Sequence, residues 1–223
     1  MTGDKHTTGS RPRQNSAPDH EQSERPESSP SSDEPRSAEG PVGSQPVERP
    51  SDEADRHQLA LASQEGEAYH RSLLYMAHEV AHSGDMKRAG DYIVAYAQEK
   101  AEGMYRPGRG GTLEWIEPEG ENCHLEVSVS DAGDQRFIPG LSIDVTLTTK
   151  AGETLGPFEM PFLWHPGLYH YGRNIKVPGN GRYTLTVRIA APTFPRHDRI
   201  NGRRYAEDVD VTFDDVDIET GSE

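Results

Sequence analysis

The chain has 223 residues, of which 32% are hydrophobic and 27% charged, with a formal net charge of −15. So small an apolar share cannot fold the whole length around one core, and so acidic a balance excludes nucleic acid as a partner, which demands clustered Lys and Arg. A single cysteine, Cys123, excludes an intramolecular disulfide and a cysteine-based zinc cage, and no apolar run is long enough for a transmembrane segment.

Residues 1–55 contain no Leu, Ile, Phe, Trp or Tyr, while Pro, Ser, Glu and Asp recur. Such a stretch buries too little apolar surface to offset its chain entropy, which predicts a disordered, acidic, Pro/Ser-rich tail. It carries no hydrophobic leader segment, so the direct reading is a cytoplasmic product.

Over residues 56–106 the apolar spacing is helical. Tyr69, Leu73, Met76 and Val80 fall on one stripe at 100° per residue, and Met86, Gly90, Ile93, Ala97 and Met104 form a second. Ser83-Gly84-Asp85 breaks the two, with Gly84 suited to a left-handed helix end, so the pattern predicts an α-helical hairpin. The Pro107 to Gly111 cluster then marks a domain boundary.

Within the first stripe, His78-Glu79-Val80-Ala81-His82 spells H-E-x-x-H, the helical motif that binds zinc and supplies a glutamate base. On the wheel, His78 and His82 lie opposite the apolar seam, on a solvated face away from any third ligand. Glu67 with His70 and Glu79 with His82 also match di-iron spacing. Twelve helical residues hold those pairs ~18 Å apart, so one chain cannot bring both to one centre. A metal-dependent hydrolase or di-iron protein using this helix is therefore the minor reading.

From residue 113 to 220 the period changes to two. Leu125, Val127 and Val129 alternate with His124, Glu126 and Ser128, placing the first set toward a core and the second outward. Leu141 to Leu147, Tyr183 to Ile189 and Val209 to Phe213 repeat the pattern, with turn signals at Lys150-Ala151-Gly152-Glu153 and at Asn180-Gly181. The prediction is a mainly β fold, an immunoglobulin-like antiparallel β-sandwich. His124 and Glu126 share one strand face, and His165, His170 and His197 lie in loops that a sandwich can bring together.

The run His124-Leu125-Glu126, Phe137 to Ile143, Met160-Pro161, His170-Tyr171-Gly172-Arg173-Asn174-Ile175, Gly181-Arg182-Tyr183-Thr184 and Arg196-His197 resembles, in order, the periplasmic Fe2+-transport protein family. These are copper- and iron-binding β-sandwich proteins of bacterial iron uptake, and the resemblance covers about residues 113–218. It implies a non-enzymatic protein that holds a copper or iron ion through His124, Glu126, His170 and His197. It also implies a methionine ligand shortly before the His-Tyr-Gly segment. Phe162 is the nearest match to that methionine, with Met160 and His165 as further candidate ligands. Without the thioether, the remaining imidazole and carboxylate donors suit Cu(II), Fe, Zn or Ni better than Cu(I). By the same resemblance the partners are a second copy of the chain, as a homodimer, and a membrane iron permease, and the setting is extracytoplasmic. A plain structural or interaction module with incidental histidines is the competing class.

Overall fold

The structure, a computed structural model, describes residues 48–222. Most of the expected tail lies outside these residues; its last part, from Glu48, is irregular, bends at Asp52-Glu53 and leads into a helix.

Helix α1 runs Arg56–Tyr75 and begins where the sequence provides a capping box. The Asp55 carboxylate accepts the Gln58 amide N–H at 2.8 Å, and the Gln58 side chain accepts the Asp55 N–H at 2.9 Å. One π-type turn, Met76–Val80, follows and ends at Ala81, whose backbone is extended.

The expected second helix is instead a β-hairpin. Strands β1 (Ser83–Ala89) and β2 (Tyr92–Glu99) pair across a two-residue turn at Gly90-Asp91, where Gly90 takes φ +57°. The cause is burial. Strand β2 is covered on both faces, so its run Tyr-Ile-Val-Ala-Tyr-Ala reads as continuously apolar and mimics a helical stripe. Gly84 is a strand residue, required because a Cβ there would meet the Ala77 carbonyl at 2.6 Å.

The remaining strands are β3 (Met104–Pro107), β4 (Leu113–Ile116), β5 (Cys123–Asp131), β6 (Ile143–Thr149), β7 (Thr154–Glu159), β8 (Phe162–Leu163), β9 (His170–Ile175), β10 (Gly181–Ile189) and β11 (Val209–Ile218). They form three sheets: β1-β2-β5-β9-β8, β11-β10-β6-β7, and the small arm β3-β4. All strand pairs are antiparallel. The two larger sheets share one core, in which Tyr92, Leu125, Val127 and Tyr171 meet Ile143, Leu147, Leu185, Val187 and Phe213.

Two further expectations change. Because β2 sits between β1 and β5 in the five-stranded sheet, the 56–106 and 113–220 ranges are not separate domains, and the Pro107 to Gly111 cluster only joins the strands of the β3-β4 arm. The Asn180-Gly181 signal marks the passage from β9 in one sheet to β10 in the other, not a hairpin; Asn180 Oδ1 accepts the Thr220 N–H at 2.8 Å. Lys150 to Glu153 does turn β6 into β7, with Gly152 at φ +86°.

Candidate metal centre

Strand alternation gives β5 two chemically different faces. Leu125, Val127 and Val129 point into the shared core. His124, Glu126, Ser128 and Ser130 occupy the other face, expected to be solvated, yet each is at most 4% exposed. The cover is α1. Leu73 and Met76 pack with Ala95 and Leu168, and Tyr69 donates its hydroxyl hydrogen to the Tyr169 carbonyl at 2.6 Å while its oxygen lies 2.8 Å from Ser128 Oγ. Gly66 permits the close approach: a Cβ there would fall 1.7 Å from the Asp134 carbonyl oxygen.

Under this cover His124, Glu126 and His170 converge, with one ligand atom from each within 4.8 Å of the others. Registry explains the meeting. His124 pairs with Asn174 and Glu126 with Gly172 across β5 and β9, so His170, two residues before Gly172, lies on the same face. Ala97 stands opposite Glu126 on β2. With Gly172, it leaves space above the strand; a Cβ on Gly172 would come within 3.2 Å of His124 Nε2.

The hydrogen bonds fix the chemistry of the ring. Asn174 Nδ2 donates to the Glu102 carbonyl at 2.7 Å, which turns Asn174 Oδ1 toward His124 Nδ1, 2.8 Å away. An amide oxygen only accepts, so His124 carries its proton on Nδ1 and presents the Nε2 lone pair. That Nε2 is buried and makes no hydrogen bond. Around it stand Glu102 Oε1 at 3.4 Å and Glu126 Oε1 at 3.7 Å, and His170 Nε2 is 3.2 Å from the same Glu126 oxygen. Donors about 2.0–2.1 Å from one tetrahedral ion stand about 3.3 Å apart, so these separations fit an ion with little rearrangement. A buried lone pair without a donor, oriented by an outer amide, is the signature of a ligand held ready.

The electrostatics agree. Burial, then the nearby Glu99 and Glu102 carboxylates, push the Glu126 carboxyl up to about 8. Burial, then His124 and His165, hold His170 down to about 4, and burial lowers His124 against the pull of its Asn174 hydrogen bond. Both imidazoles are thus kept neutral, the form a metal takes, while the crowded carboxylates gain from a cation. Glu99, Glu102 and Glu126 form a second, all-oxygen group that shares Glu126 with the first.

The family model for Fe2+ transport protein matches residues 78–218. The chain belongs to the Fe2+ transport protein family. The match begins before β1, which extends the resemblance read from residue 113 and agrees with the placement of β1 and β2 in the main sheet. FetP of uropathogenic Escherichia coli strain F11, expressed recombinantly in the periplasm, is similar in fold: 24% identity over 62% of this chain and 95% of that one, with a TM-score of 0.51. A copper-bound variant of FetP, with one glutamate replaced by glutamine, aligns at 21% identity, covering 63% of this chain and 93% of that one, with a TM-score of 0.51. Copper-reconstituted P19 of Campylobacter jejuni aligns at 21% identity over 60% and 95% of the two chains, with a TM-score of 0.48. Among curated proteins none matches. No helix among the described residues is long and apolar enough to cross a membrane.

Of the ligands expected for a member of the Fe2+ transport protein family, three converge and three do not. His197 is 93% exposed and its Nδ1 lies 3.0 Å from Glu53 Oε2, away from the cluster. Met160, 2% exposed, packs in the core between the sheets, because its position carries it to the opposite face. His165 lies beside the cluster, its ring 5.9 Å from that of His170, with Nδ1 accepting the Gly167 N–H at 3.0 Å. Phe162, the nearest match to a ligand methionine, pairs with Tyr171 and packs on Phe137 and Tyr169. Its neighbour Leu163 pairs with His170 and shares its face. Sequence reasoning missed Glu99, Glu102 and Asn174 as site residues; Asn174 alone had a signal, standing on the His170 strand at even spacing.

The H-E-x-x-H segment makes no helix face. His78 and Glu79 are exposed on the π-type turn, and His82, past its end, places Nδ1 3.0 Å from Glu219 Oε2. A further acidic group, Glu48, Asp131 and Asp134, is already filled by cationic side chains: Arg204 reaches Glu48 at 2.6 Å and Asp131 at 2.8 Å, and Arg136 reaches Asp134 at 2.7 Å. It ties the segment before α1 to the loop after β10.

Proposed function

We propose that the chain is a non-enzymatic binding protein for a copper or iron ion in metal uptake, holding the ion through His124, Glu126 and His170. The observation that carries this reading is the buried, hydrogen-bond-free Nε2 of His124, set at metal-compatible distances from Glu126 and Glu102. Binding alone needs no nucleophile or general base, and the cluster offers neither beyond its ligands. Two imidazoles and a carboxylate without a thioether favour Cu(II) or iron over Cu(I), and the adjoining Glu99-Glu102-Glu126 oxygens suit a harder ion beside the first. The copper-bound FetP variant of similar fold supports copper as the probe.

The two packed sheets are consistent with an immunoglobulin-like sandwich. Exposed Phe162, Trp164 and Tyr169 near the centre, and Tyr105 and Trp115 on the β3-β4 arm, support a homodimer that covers them. Family membership supports a membrane iron permease as recipient of the metal and an extracytoplasmic setting; the cytoplasmic expectation gains no support.

The test is Cu(II) titration of the metal-free chain. His124→Ala and His170→Ala should each weaken binding at least tenfold relative to His57→Ala on the exposed start of α1. Equal affinity in all three would overturn the reading.

A further inference from the structure

An open cleft of about 780 Å³ runs along α1, beside residues that neighbour the metal centre. Arg71, Ser72 and Tyr75 line it from the helix, and Glu99, His165 and Leu168 from the opposite side. Its size, its lining and its origin together indicate what it holds.

The volume leaves room for more than a bare ion. Each water takes about 30 Å³ of liquid, so an ion with six waters fills roughly 180 Å³. The cavity is several times larger and falls within the ~300–1,000 Å³ typical of small-molecule sites.

The lining is bipolar. Glu99 belongs to the carboxylate group that shares Glu126 with the metal centre, so that end of the cavity favours a cation. The helix side brings the Arg71 guanidinium, with five fixed donors shaped for carboxylate, and the Tyr75 phenol. His165 adds a further donor: with Nδ1 accepting the Gly167 N–H at 3.0 Å, its neutral ring carries the proton on Nε2. A cation end and an anion end in one chamber fit a metal that arrives with its own carboxylates.

Origin separates this chamber from the shared fold. Helix α1 ends at Tyr75, whereas the family match starts at residue 78, so Arg71, Ser72 and Tyr75 lie outside the part of the chain that the family model matches.

We propose that the chamber binds a small polycarboxylate of the citrate class and receives the metal as its carboxylate chelate. In this arrangement free carboxylates rest on Arg71 and His165, and the chelated ion faces Glu99 and the His124-Glu126-His170 centre. The delivery role rests on the metal-binding reading above; the carboxylate site itself does not.

Calorimetric titration of citrate into the metal-free full-length chain tests it. Saturable one-to-one binding is expected, weakened at least tenfold by Arg71→Glu and unchanged by His124→Ala. Arg71 is exposed on the helix, so the variant should keep the wild-type circular dichroism spectrum, and its affinity for Cu(II) added without citrate should also be kept. Absence of saturable citrate binding, or equal binding by Arg71→Glu, would overturn the chamber. Retained Cu(II) binding in His124→Ala would instead remove the metal reading and leave the carboxylate site standing, so the two failures are distinct.

Discussion

The two faces of β5 are equally buried and opposite in kind. Leu125, Val127 and Val129 are 0% exposed against the second sheet, and His124, Glu126, Ser128 and Ser130 are at most 4% exposed beneath α1. The inner face gains free energy from every apolar contact it makes. The outer face holds buried polar atoms without partners, among them His124 Nε2, His170 Nδ1 and Ser130 Oγ, which cost stability until something binds. One strand therefore carries the fold on one side and a destabilised, ligand-ready surface on the other. Substitutions on the two faces should separate stability from metal affinity.

The largest contrast is between Leu125→Ala and His124→Ala. The first removes a fully buried side chain from the core and should lower stability by about 2–5 kcal/mol, with Cu(II) affinity nearly kept. The second removes a ligand that has no hydrogen-bond partner on Nε2, so chemical denaturation should register a smaller loss while Cu(II) affinity falls by two orders of magnitude or more. A His124→Ala protein as destabilised as Leu125→Ala would mean that the outer face is structural after all.

Next in size is the pH response of the metal-free protein. Glu126 ionises at about 8 in the fold against 4.5 unfolded, so its contribution is complete below 4.5 and lost as pH rises through 8. His170 is held at about 4 against 6.5, so the fold loses stability as pH falls from 6.5 toward 4. Between 4.5 and 6.5 the two slopes oppose each other, and His124, also lowered by burial, adds to the histidine side. Above 6.5 the glutamate acts alone, and stability should drop by on the order of 2 kcal/mol by pH 8. Saturating Cu(II) should remove that decline, because a cation replaces the proton on Glu126. Glu126→Gln should flatten it without metal, and a decline that persists in this variant would assign it to another group.

A third experiment attacks the cover instead of the face. Gly66→Ala drives a side-chain methyl into the backbone carbonyl of Asp134, which cannot give way as a flexible side chain would, and should lift α1 from the sheet. Hydrogen exchange should rise in α1 and in the 164–169 loop, which Tyr69 and Leu73 hold, while β6 and β10 in the far sheet stay protected. Uniform loss of protection would show that α1 is integral to the whole core.

How much of this was legible in the sequence follows from where burial comes from. Strands β5, β6, β10 and β11 have one apolar face, and period-two alternation located each of them. Strand β2 is buried on both faces, so its alternation vanished and helical spacing filled the gap. The outer residues of β5 were correctly assigned to one face, but their burial depends on α1, and no local pattern reports which helix lies over which strand. Likewise His124, Glu126 and His170 stood out as chemistry, whereas Glu99 enters the site only through the β2 registry that the helical reading had hidden, and Glu102 through the segment just beyond β2. His197 was nominated by order along the chain, and in the described chain it sits with Glu53.

The smallest expected effect refines the boundary between the faces at its edge, on β8. Phe162 and Leu163 are adjacent, so strand alternation sends them to opposite sides. Phe162 pairs with Tyr171, whose hydroxyl is bonded deep among the loop carbonyls at Ile138, and thus belongs to the aromatic side. Leu163 pairs with His170, and a point 2.8 Å from Leu163 Cδ1, where a Cβ on Gly172 would lie, is also 3.2 Å from His124 Nε2. A thioether belongs to the centre only if it replaces Leu163. Leu163→Met should therefore raise Cu(I) affinity about tenfold, roughly 1.4 kcal/mol, and change Cu(II) affinity less, since a soft sulfur prefers the softer ion. Phe162→Met, although it stands at the nearer match in sequence, should leave both affinities within experimental error. The reverse outcome, with Phe162→Met effective and Leu163→Met silent, would mean that β8 shifts by one residue on binding metal, since a one-residue slip exchanges the two faces.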